Sequence, residues 1–166
     1  MYPKDHPYNW TTIGELEDLQ NSTLKDVRDF YENWYGPNNA TMVIAGDINK
    51  KEVKKLVEKY FSEIKPGPDH GNPEPQPIQL SETKKVFHED NFARSPRLSM
   101  AFPSVDLLHF DAPALELLGQ LLGDGKKAPL YKVIVEEKKL APSLFSYSST
   151  QEIAGTFNVV VTGFPT

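Results

Sequence analysis

The sequence contains no cysteine, which excludes disulfides, a thiol nucleophile and any thiolate metal site. It has no apolar run near the roughly 18–20 residues that a membrane-crossing helix needs. A basic stripe with interleaved aromatics is also missing, and the formal net charge of −5 argues against nucleic acid as a partner. The opening Met1-Tyr2-Pro3-Lys4-Asp5-His6 is polar and broken by proline, unlike a signal peptide. So abrupt a start fits an internal piece of something longer equally well. Nothing in the composition fixes a compartment. There is no Gly-x-Ser-x-Gly elbow, no phosphate-cradling glycine loop and no dinucleotide fingerprint. Asp124-Gly125-Lys126-Lys127 reads as a loop after a helix. Glu136 and Glu137 read as solvated carboxylates, with Glu136 placed to pair with Lys132 and Lys139.

What is present is a chain of 166 residues, 39% apolar and 25% charged, the balance of a globular protein with a sizeable core. Its strongest pattern lies between Thr23 and Phe61. Thr23 and Asp26 have the spacing of a capping box, and Leu24, Val27, Phe30, Tyr31 and Trp34 follow on one helical face. Gly36 is suited to a left-handed stop, and Pro37 cannot continue a helix. Residues 40–45 are short, uncharged and rich in β-formers, which predicts a strand covered on both faces. Asn49 and Glu52 form a second capping-box pattern, followed by an apolar face of Val53, Leu56, Val57, Tyr60, Phe61 and Ile64. Before this block, residues 14–20 predict a short helix in an extended lead-in.

Residues 66–83 begin with prolines at 66, 68, 73, 75 and 77, which hold neither a helix nor a central strand. They read as an interdomain linker between residues 1–65 and residues 84–166. The second half predicts strands at 84–90 and at 97–102, the latter half-buried and ended by Pro103. A buried helix follows, capped by Asp111 and apolar nearly all round through Leu115, Leu117, Leu118, Leu121 and Leu122. Residues 129–140 predict another helix with Leu130, Val133, Ile134 and Leu140 inward. Residues 143–149 and 156–162 form a hairpin-like pair. The expected class is α+β, a mixed or antiparallel sheet with helices packed on it.

These pieces carry a resemblance. Trp34, Tyr35, Pro37 and Asn39 at a helix end, Ala45-Gly46-Asp47, and Lys59-Tyr60-Phe61 resemble the pitrilysin/insulinase family of zinc metallopeptidases, the inverzincins. His6-Pro7-Tyr8 and Ile13-Gly14 are similar to the family's approach segment. Phe102-Pro103, Asp111 to Leu122, Ala128 to Tyr131, Glu136-Glu137, Leu140-Ala141 and Gly155-Thr156-Phe157 resemble the opening of its second domain. The resemblance implies two partial repeats of the family's α/β unit: residues 1–65 closing one peptidase-like domain and residues 84–166 opening the next.

It also implies zinc in the parent protein, held by a His-x-x-Glu-His helix and a downstream glutamate, with peptides or unfolded protein as substrate. That motif is not in this chain. The four histidines are His6, His70, His88 and His109, and the closest pair, His70 and His88, is 18 positions apart. His88-Glu89-Asp90 lies on an expected strand, where neighbouring side chains point to opposite faces. His6 reads as a packing or surface residue.

No catalytic, cofactor-binding or metal-binding residue is therefore assigned, and no cofactor is expected on this chain. The expected function is a section of a zinc-dependent peptidase that supplies chamber wall and hinge. The alternatives are a non-catalytic scaffold or substrate-presenting partner of the same family, and an unrelated α+β binding module. Two incomplete halves are expected to meet the remaining peptidase domains, a paired subunit or a second copy of the chain. The isolated chain should bind zinc no better than a control bearing surface histidines; tight, stoichiometric zinc in a metal analysis contradicts this.

Overall fold

The computed structural model describes residues 1–165 and divides into two compact units. One is Trp10–Asn72; the other combines Met1–Asn9 with Pro73–Thr166.

The first unit is helical: α1 (Leu16–Asn21), α2 (Leu24–Trp34) and α3 (Lys50–Phe61). The capping box at α2 forms in full. The Thr23 N–H donates to Asp26 Oδ2 at 2.8 Å, and Thr23 Oγ1 accepts from the Asp26 N–H at 3.3 Å. At α3, Asn49 is the cap, but its side chain accepts from the Lys51 N–H at 3.0 Å, so the expected reciprocal box with Glu52 gives way to a single capping bond.

Gly36 does not take the left-handed conformation; its φ is −84°. It is needed for another reason. A Cβ there would sit 2.5 Å from the Gly67 nitrogen and 2.6 Å from Asn38 Oδ1. Asn38 bonds that same turn, accepting from the Gly67 N–H at 2.8 Å and donating to the Gly67 carbonyl at 3.0 Å.

Residues 40–45 do not form a strand, and Val43 is 83% exposed. The reason is physical: a strand exists only where a neighbour takes its N–H and C=O groups, and no other described segment pairs with this one. Apart from Gly36 no residue of the helical unit is buried, so the apolar faces of α2 and α3 are present but uncovered.

The second unit is built on a three-stranded antiparallel sheet in the order β1 (Arg97–Ser104), β3 (Gly155–Thr162), β2 (Ser143–Thr150). The hairpin expected at the end of the chain is β2–β3, paired from Ser143 opposite Thr162 to Thr150 opposite Gly155. β1 runs through Pro103, opposite Thr156, to Ser104, so proline does not end it. β1 is an edge strand, where the missing N–H breaks no ladder bond. It is also exposed through residues 97–102 instead of half-buried. Residues 84–90 form no strand, and Phe87 is exposed.

α4 (Ala112–Gly123) lies against β2. Its buried residues are Ala112, Gly119 and Gly123; Leu115 and Leu122 are half-buried, and Leu117, Leu118 and Leu121 are exposed. The helix therefore packs by its smallest residues and not by its leucines. Asp111 makes no side-chain cap. After a turn at Gly125, α5 (Pro129–Tyr131) continues as a π-helical segment, Lys132–Glu137, in place of one long helix. Leu130 and Ile134 are half-buried, whereas Val133 and Leu140 are exposed. Lys139 closes the segment at φ +49°. The core of this unit is Ala112, Ala128, Ala141, Leu144, Ile153, Ala154, Val159 and Val160. The fold is α+β, as expected.

Two outcomes follow. Gly123→Ala should destabilise the protein by about 1–3 kcal/mol, because the new methyl meets the Ser146 backbone, while Gln120→Ala stays within about 0.5 kcal/mol. Urea unfolding of both variants checks this. The Thr23 hydroxyl and N–H also hold the Asp26 carboxyl below its ordinary value. A depressed value means that the bond contributes above the ordinary aspartate range, near about 3.9, and is lost as pH falls through the lower folded value. Amide exchange over the first turn of α2 should thus lose protection at acid pH, and Asp26→Asn should flatten that dependence.

Candidate functional site

α4 lies against β2, and this seam is where helix and sheet meet most extensively. What builds the seam is backbone. Ser146 Oγ donates to the Gly119 carbonyl at 2.7 Å, and this buried bond ties the strand to the helix. A Cβ at Gly119 would sit 2.9 Å from Tyr147 Cα, and one at Gly123 would sit 2.5 Å from the Ser146 nitrogen. Real side chains do not come that close, so no imidazole or carboxylate fits on the strand-facing edge of this helix. The buried hydroxyls that lack a hydrogen-bond partner among the described residues, Ser104 and Ser148, supply no ionisable donor.

The histidines are dispersed. His6 is buried, with Nε2 3.1 Å from the Gln76 carbonyl and Nδ1 accepting from the Tyr8 N–H at 3.0 Å. His70 is exposed; its ring stacks on Trp34 with centroids 3.9 Å apart, and Nε2 donates to the Asn33 carbonyl at 2.8 Å. His88 lies in an exposed segment without regular structure. His109 Nδ1 accepts from the Asp111 N–H at 3.1 Å and lies 3.8 Å from the Asp111 carboxylate.

Among the described residues no three His, Asp or Glu side chains converge, so this donor set does not fit a zinc ion. Glu136 and Glu137 are exposed, and the i,i+4 pairing of Glu136 with Lys132 does not form among the described ion pairs. A π-helix does not keep the spacing that such a pair needs.

Two open hollows flank α4. One of about 250 Å³ is lined by Leu117, Gln120, Leu121, Asp124, Lys127 and Ala128. The other, of about 480 Å³, lies between the first turn of α4 and the end of β2 and includes Glu116, Ser148 and Thr150. Each lining holds a single carboxylate and no histidine, which is not a general acid–base pair. The one lining group with an opposite charge beside it is Asp124, in the same hollow as Lys127.

His6, which reads from the sequence as a packing or surface residue, is buried, and its long-range bond is what the sequence did not show. Its bonding partner is 70 positions away, and no local pattern marks such a contact. The one local signal is the rigid aromatic setting of Tyr2, Pro3, Pro7 and Tyr8 around it. Burial raises the Tyr2 phenol above its ordinary value, with the nearby Tyr8 adding to the shift.

Comparison with known proteins assigns these features a context. The family profile described as "Peptidase M16 inactive domain" matches residues 21–166. The zinc protease PqqE of Helicobacter pylori is 33% identical over 163 residues, which are 96% of this chain and 36% of that protein. The crystal structure of a protease from Helicobacter pylori matches at 31% identity with a TM-score of 0.69, covering 96% of this chain and 39% of that one. The peptidase M16 inactive domain from Pseudomonas fluorescens has the same fold at 20% identity, with a TM-score of 0.74 and coverage of 97% and 39%. The chain thus spans little more than a third of the length of these relatives.

Proposed function

The chain belongs to the peptidase M16 family, over the stretch of its inactive domain, and from that premise we propose that it is a section of a zinc-dependent peptidase that contributes chamber wall and hinge, not catalytic groups. The family is the one that the sequence resemblance indicated. The observation that carries the proposal is the coincidence of an inactive-domain match with a seam that has no room for ligands on α4. Zinc, its ligands and the general base belong, in this reading, to sequence outside these 166 residues, and the substrate is a peptide or unfolded protein.

Residues 1–65 then close one repeat of the family's unit, residues 66–83 link, and residues 84–166 open the next. The uncovered surfaces support this. Leu98, Met100 and Phe102 of β1 share a sheet face with Ser146 and Ser148 of β2 through the β3 register, yet all three are exposed. A further helix laid beside α4 would bury that row. In the helical unit, the unpaired residues 40–45 and the outer faces of α2 and α3 await the rest of a sheet. The remaining domains of the same peptidase are the occupants that fit.

The deciding measurement is the intact mass of the protein purified from its source cells, with the sequence of any added segment. A mass well above 18.7 kDa with His-x-x-Glu-His in the added part, together with chelator-sensitive peptide hydrolysis, is the expected result. A longer protein without that motif would make this a non-catalytic partner instead. A native mass equal to this chain would overturn the peptidase reading.

A further inference from the structure

His6 is the one buried titratable side chain among the described residues. Its place in the chain gives that burial a consequence. The backbone leaves the sheet-bearing unit after Asn9 and re-enters it at Pro73, so exactly two strands of chain join the units. His6 stands beside the first crossing and Gln76 beside the second, and the imidazole bonds them together. Both crossings are also fastened to one residue of the β2–β3 turn. The Ile153 N–H donates to the Tyr8 hydroxyl at 3.2 Å, and the Ile153 carbonyl accepts from the Gln76 N–H at 2.6 Å.

The partners dictate the protonation state. An amide N–H only donates, so Nδ1, which accepts from Tyr8, must be bare; a carbonyl only accepts, so Nε2 must carry the proton. This is the neutral imidazole. Its ring stacks on Tyr2, with centroids 4.6 Å apart, and lies 5.3 Å from that of Tyr8. The groups that touch it are neutral: the Tyr2 and Tyr8 rings, the Tyr8 N–H and the Gln76 carbonyl. Asp5, Glu74 and Glu152 are exposed, and no carboxylate stands within ion-pair distance of His6 among the described residues. A second proton would therefore set one N–H against another, in a buried place with no compensating charge.

We propose that His6 is a proton-operated buckle on the double crossing: neutral, it fastens residues 1–9 to Gln76 and Ile153; protonated, it releases them and lets both crossings flex. Because the fastened geometry accepts only the neutral imidazole, acid opposes it. His70 supplies the contrast. Its Nε2–H donates to a carbonyl at the C-terminus of α2, a bond that protonation keeps and the helix end favours. The buckle rests on hydrogen-bond geometry alone and does not depend on the peptidase reading.

The test is an NMR titration of the full chain from pH 7.5 to 5.0. It follows the His6 ring together with exchange at the Tyr8, Gln76 and Ile153 amides, corrected for the intrinsic effect of pH. The expected result is a loss of protection at all three amides with the same midpoint as the His6 ring, while the amides of α2 keep theirs. His6→Gln should abolish the pH dependence. Protection that stays flat, that falls with a different midpoint, or that keeps its pH dependence in His6→Gln overturns the proposal. Should the variant not fold, the shared midpoint in the unsubstituted chain decides alone.

Discussion

The sheet-bearing unit depends on one close approach: α4 pressed onto β2 until backbone meets backbone. Glycine at 119 and 123 permits the approach, and the Ser146 hydroxyl bonded to the Gly119 carbonyl fixes it. Packing of this kind excludes water with very little side-chain volume, and four of the unit's eight buried apolar residues are alanine. It also settles the chemistry of the seam. A helix that touches a strand through glycine has no place on that edge for a metal ligand. The same two residues that permit the close packing leave no room for a side chain on that edge of α4.

The helical unit is governed by the opposite condition. Its helices α2 and α3 are capped and two-sided, but nothing among the described residues covers their apolar faces. A capped helix of 11 or 12 residues is locally consistent, yet most helical stability comes from tertiary burial. What local contacts remain are the turn locked by Asn38 and Gly67 and the stack of His70 on Trp34. These hold residues 66–72 to α2 just as Gln76 and Ile153 hold the segment beyond.

Much of this was legible in the residues. Thr23 with Asp26, Asn49, and the alternation on either side of Gly155 led directly to α2, α3 and the β2–β3 hairpin, because capping and turn chemistry act over a few positions. Residues 40–45 and 84–90 misled for one reason: β-forming composition states a willingness to pair and cannot supply the neighbour. The leucines of α4 misled for another. Apolar periodicity locates a helix face, but the face a helix buries is chosen by the partner it can approach most closely.

The sequence by itself determined the family, the helix starts, the hairpin and the lack of a His-x-x-Glu-His motif, all of which are local patterns or strings of residues. The tertiary structure alone decided that glycine and not leucine packs α4, that Gly36 is required by the Gly67 backbone, and that His6 is buried between Tyr8 and Gln76. Each of these depends on which distant backbone atoms come within about 3 Å of each other, the range of hydrogen bonding and steric exclusion, and no short-range pattern encodes that.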